Sequence, residues 1–258
     1  MMKSKIFSLW LVLCVLVLMP ARLPAGDFAE LNFIGFSKDG RYLAFEEWGS
    51  LDGIGGDYSN TYYIDTGKNS FALPPTLIDE SFLTPAEQKQ KKTLNKKLAL
   101  VKANNLRRLR IVPNNTGELL VAHLRTDWSA GVFLEPRGAE PEIVRFNNNV
   151  PAYSRDDGKY YELTLKPSAF KTERCGEDAY KFDLTLADRT SSETIPLQIL
   201  QSDKTIPESR FCPFGYRIER VYFYGDKIAV FLNYFYYGFE GPDLRYLVVT
   251  GKLSQPAG

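Results

Sequence analysis

Histidine is the scarcest chemical resource in this chain: one residue, His123, in 258. A zinc site built on two imidazoles is excluded, and a Ser-His-Asp arrangement has a single base to draw on. No G-x-S-x-G elbow, phosphate-cradling loop or dinucleotide glycine pattern occurs to supply other familiar chemistry. His123 itself sits in an apolar stretch, Leu119 to Leu124, and reads as a packed strand residue. An excess of either charge is also missing, with 32 basic against 31 acidic residues, so nothing draws the chain to nucleic acid. The apolar run Ile6 to Met19 has 14 residues, short of the roughly 20 that span a bilayer.

That run is instead the centre of an export signal. Lys3 and Lys5 precede it, Pro20 ends it, and Ala25 offers a small residue at a cleavage point before Gly26, so residues 1–25 read as a signal peptide. Taking Lys3, Lys5 and Arg22 from the 32 basic residues leaves 29 against 31 acidic. The expected location is secreted or periplasmic, with no stable membrane span after cleavage. Two of the three cysteines, Cys175 and Cys212, survive processing; an even count in an exported chain predicts a disulfide between them.

The remaining sequence is patterned for strands. In F-S-K-D-G-R-Y-L-A-F-E-E-W, Phe36 to Trp48, a polar turn leads into a strand with Leu43 and Phe45 on one face and Tyr42, Ala44 and Glu46 on the other. Phe223 to Phe231 is a weaker echo. Further strands are expected at Leu31–Phe36, Thr61–Thr66, a short one ending at Pro74, Leu119–Leu124, Gly131–Leu134, Glu142–Phe146, Tyr160–Lys166, Tyr180–Ala187, Thr194–Leu200 and Arg245–Thr250. Ile218–Tyr224 and Ile228–Tyr237 are nearly continuous apolar runs, as in strands covered on both faces. Thr250-Gly251-Lys252 repeats Thr66-Gly67-Lys68, which suggests two units of one design, each ending on a turn. One helical insertion interrupts them (76–108). Its helix is capped by Thr84, Pro85 and Glu87 and is expected to run to Ala103, resting on a sheet through Leu94, Leu98 and Val101. The fold class is mainly β, with antiparallel sheets arranged as a propeller, sandwich or barrel in one domain, 26–258.

Two resemblances follow from these motifs. F-S-K-D-G-R-Y-L-A-F resembles the blade motif of Tol-type and oligopeptidase β-propellers. Across nearly the whole exported portion, the sequence is similar to a bacterial family of predicted secreted proteins of unknown function (domain of unknown function 2259 type). The residues that carry this similarity are 35–47, Ile206 to Pro213, Tyr216-Arg217-Ile218 and Gly238 to Asp243. It implies export and brings no activity with it.

Functional candidates gather in two glycine- and acid-containing loops, Trp48 to Tyr58 and Gly238 to Asp243, expected to share one rim. Trp48, Tyr58 and Phe239 are the aromatic contacts for a glycan or peptide; Asp52, Asp57, Glu240 and Asp243 are carboxylates of the kind a calcium ion prefers. The leading expectation is a non-catalytic binding or structural domain of the cell envelope, without cofactor, whose partner is an envelope protein or glycan. The rival is a hydrolase that uses those carboxylates on envelope glycan or peptide.

Overall fold

Ser37-Lys38-Asp39-Gly40 folds as its composition dictates. The Ser37 hydroxyl donates to Asp39 (2.6 Å) and accepts from the Tyr42 N–H (3.0 Å), while Gly40 takes the φ of +67° that closes the turn. The Ser37 hydrogen bond, helped by the Arg41 N–H, holds the Asp39 carboxyl below its usual range. The turn joins β1 (Glu30–Phe36) to β2 (Tyr42–Ser50), and β3 (Asp57–Asp65) and β4 (Ser70–Asp79) extend the meander to a four-stranded antiparallel sheet. This computed structural model describes residues 26–51, 55–80, 84–124, 140–147, 160–175, 179–189, 197–238 and 241–253. The signal peptide, the strand expected at Gly131–Leu134 and the first residues of Thr194–Leu200 lie outside the described residues.

A second meander comprises β6 (Glu142–Phe146), β7 (Tyr161–Ala169), β8 (Tyr180–Asp188) and β9 (Gln198–Ser202). Tyr161, Leu163, Leu165, Phe182, Leu184 and Leu186 point inward and polar residues outward, the alternation of a sheet with one wet face. The third sheet has the order β12-β11-β10-β5, from β5 (Glu118–Ala122), β10 (Pro213–Tyr224), β11 (Lys227–Tyr237) and β12 (Pro242–Lys252).

This third sheet is the middle layer. Along β11, Ile228, Val230, Leu232 and Tyr234 join the core made with β6–β9, whereas Ala229, Phe231 and Phe235 join the core made with β1–β3. The continuous apolar runs are therefore strands covered on both faces, as expected. Three stacked sheets form a sandwich-like arrangement, and no closed ring is present among the described residues. The opening motif and its echo meet across the layers: Phe36 stacks on Tyr224 (5.2 Å), and the Tyr224 hydroxyl donates to the Lys38 carbonyl (3.0 Å).

Several expectations need correction. β4 does not end at Pro74 but continues to Asp79, because Pro74 and Pro75 sit on an edge strand at a shift of register, where their missing N–H groups interrupt no regular pairing. Thr250-Gly251-Lys252 is not a turn; it pairs with Ala229, Ile228 and Lys227 as the last three rungs of β12. The helix, α1 (Pro85–Arg108), has the anticipated capping box but passes through Asn104-Asn105 and ends beside buried Leu109. Leu94 and Val101 are exposed rather than packed. The face of α1 toward the sheet is polar instead: Lys91 pairs with Asp79, Asn95 donates to the Asp79 carbonyl (3.0 Å), and Lys102 pairs with Glu46. His123 follows β5 directly and donates through Nδ1 to the Ile218 carbonyl (2.9 Å), a structural role at the end of a strand.

Cys175 and Cys212 are disulfide-bonded, with Cα atoms 5.3 Å apart. The bond ties the turn after β7 to the segment that enters β10, where Arg174 also donates to the Phe211 carbonyl (2.9 Å).

Candidate functional site

Residues that flank the stretches after β2 and after β11 touch one another. The Arg245 guanidinium of β12 lies over the Tyr58 ring of β3 (4.9 Å) and farther from the ring of Tyr236 (5.8 Å), and it donates to the Asp27 carbonyl (2.6 Å). Asp243 accepts from the Asp27 N–H (2.8 Å). Burial pushes the Asp243 carboxyl up despite that hydrogen bond and the nearby Arg245, and burial drives the Tyr58 hydroxyl up to about 12. A Cβ at Gly238 would crowd the Asp243 carboxylate and force it to shift.

The expected site residues therefore divide. Tyr58 and Asp243 are brought together but are buried in an internal clamp. Trp48 is half exposed and Asp57 is exposed, its carboxylate accepting from the Ser50 hydroxyl (2.6 Å). Asp52, Phe239 and Glu240 lie outside the described residues, and with them half of the expected calcium carboxylates. Among the described residues no three His, Cys, Asp or Glu side chains converge as a metal site.

A recess among the described residues lies elsewhere, along the outer edge of β12. β12 pairs with β11 without a bulge, so every second residue turns its N–H and C=O away from β11. Leu244 sets the parity, exchanging backbone hydrogen bonds with Asp27 and Ala29. Tyr246 follows, its N–H received by the buried Glu47 carboxylate at 3.1 Å. Thr250 follows in turn, its N–H received by Asn69 Oδ1 at 2.8 Å. Val248, between them, has no hydrogen-bond partner for its outward N–H and C=O among the described residues.

At Val248 the edge opens into a groove of about 350 Å³. One wall comes from the first sheet, with Phe45, Tyr62 and Phe71; the other from the second sheet and its exit, with Phe182, Pro207 and Arg210. Asn69 closes one end, and at φ +50° it bridges all three sheets by donating to the Leu200 carbonyl and to Gln201 (3.0 Å) as well as capping Thr250. Sequence reasoning missed this groove, because periodicity shows which face of a strand is buried but not which edge stays open. The one available signal was Ile206 to Pro213, part of the family similarity, which supplies Pro207, Ser209 and Arg210.

A family model described as "Predicted secreted protein (DUF2259)" matches residues 44–252. No curated protein and no solved structure matches this sequence. No helix among the described residues is long and apolar enough to cross a membrane.

Proposed function

Since the chain belongs to the DUF2259 family of predicted secreted proteins, we propose that it acts after export as a non-catalytic binding domain whose ligand lies in the groove along β12. The observation that carries this reading is the groove itself: about 350 Å³, within the range of ligand sites, and lined mainly by aromatic and aliphatic side chains. Arg210 is its one charged lining residue, and both guanidinium arms are held by Asp203. A recess with no carboxylate and no free cation suits holding a molecule better than cleaving one. The rival hydrolase would use Asp52, Asp57, Glu240 and Asp243; of the two that lie among the described residues, Asp243 is buried and accepts from a backbone N–H.

The test is a titration of protein labelled at Leu and Val methyl groups. An equimolar mixture of neutral peptides and, separately, one of neutral oligosaccharides is added. The methyl signals of Leu247, Val248 and Val249 are expected to shift with at least one mixture. Silence in both removes the binding reading, and release of new amines or reducing ends puts a hydrolase in its place.

A further inference from the structure

Resting on that groove as the binding site, we propose that its occupant is an uncharged, extended peptide segment that adds to the middle sheet by pairing with the backbone of Val248. Except for the hydroxyls of Ser70 and Ser209, the polar side chains around the groove are already engaged. Tyr62 donates to Glu47 (2.7 Å), Tyr246 to Glu219 (2.8 Å) and Tyr234 to the Ser209 carbonyl (3.4 Å). Asn69 uses both ends of its amide, Gln201 accepts from Asn69 and donates to Asp203 (2.7 Å), and Arg210 is held by Asp203. A sugar needs side-chain donors and acceptors around its hydroxyls, and this lining has few left to give. What the floor offers is one backbone N–H and one backbone C=O on the same residue, the pair that an antiparallel strand residue satisfies with its own two groups.

The flanking residues define the register. Glu47 and Asn69 cover the N–H groups of Tyr246 and Thr250, so the added strand forms one hydrogen-bonded pair, centred on Val248. A strand lying in the plane of the middle sheet turns successive side chains to opposite outer sheets, one toward Tyr62 and Phe71, the next toward Phe182 and Pro207. Both walls are mainly apolar, and the one charged member, Arg210, is held by Asp203. The segment is therefore expected to be a short run of apolar or hydroxyl residues rather than an alternating one. Charge is disfavoured along it, because no lining group remains to pair with a buried ion.

The probe is a fluorescent nine-residue peptide, Thr-Val-Tyr-Val-Thr between lysine pairs that stay outside the groove, and the readout is anisotropy with the full exported protein. Saturable binding is expected, weakened at least about tenfold when the central tyrosine nitrogen of the peptide is methylated. Val248→Pro, which deletes the outward N–H at an edge position, should weaken it similarly, and Phe71→Ala severalfold. Should the proline variant melt early, amide exchange of Val248 in the unaltered protein decides: the peptide must slow it. Equal binding of the methylated and unmethylated peptides, with unchanged Val248 exchange, overturns strand addition while leaving the groove in use. Binding of a neutral N-acetylglucosamine hexamer at the Val248 methyls, with none of the peptide, overturns the peptide and keeps the site. Failure of both probes in the groove counts against the pairing and the site together.

Discussion

Asn69 is the residue on which three layers converge, and its replacement separates geometry from bonding. Alanine at φ +50° adds backbone strain to the loss of the Thr250, Leu200 and Gln201 contacts, whereas glycine loses only the contacts. We expect Asn69→Ala to cost about 2–3 kcal/mol and Asn69→Gly roughly 1 kcal/mol less than that, measured by thermal melting of the oxidised protein. Glu46 gives a pH-dependent counterpart. Burial alone would raise its carboxyl, but hydrogen bonds from Lys102, Ser59 and Asn32 outweigh burial and hold it below the ordinary 4.5. A depressed folded-state value means stability present above the unfolded value and lost as pH falls through the folded one. The gap between the native protein and Lys102→Met, roughly 1 kcal/mol at neutral pH, should close in urea titrations taken below pH 4.5.

At the scale of elements, strands are legible in the sequence and the helix seat is not. Leu43 and Phe45 face the middle sheet while Tyr42 and Ala44 face away, as alternation alone predicts, and Glu142–Phe146 is a strand to the residue. The seat of α1 escapes the pattern because the stripe of Leu94, Leu98 and Val101 invites burial, yet the surface it would rest on carries Glu46 and Asp79. Lysine stems and an asparagine meet that surface better than leucines do. Leu94→Gln and Leu100→Gln should accordingly shift stability by no more than about 0.5 kcal/mol, whereas Asn95→Ala should cost about 1 kcal/mol in the same urea titrations. Of the candidate site, the sequence shows the two glycine- and acid-containing stretches, and Tyr58 and Asp243 beside them lie on either side of Arg245. That both are consumed in a clamp around Arg245 depends on depth between layers, which no local pattern records.

On the scale of the whole molecule, the disulfide links the second sheet to the start of the middle one across a separation of 37 residues. In the chain-entropy account a closure of that length is worth roughly 4 kcal/mol. Replacing Cys175 and Cys212 by alanine should lower the free energy of unfolding by about that amount. Reductant should destabilise the native protein and leave the variant unchanged.

The middle layer is also the last to be made. Three of its four strands, β10 to β12, come from residues 213–252, after both flanking meanders have been written out. A polypeptide threaded outward from its amino end thus delivers two half-wet sheets before the slab that dries them. The compartment beyond the membrane must shelter these halves until the closing strands emerge, and a copy stopped after Gly241 should be degraded instead of accumulating.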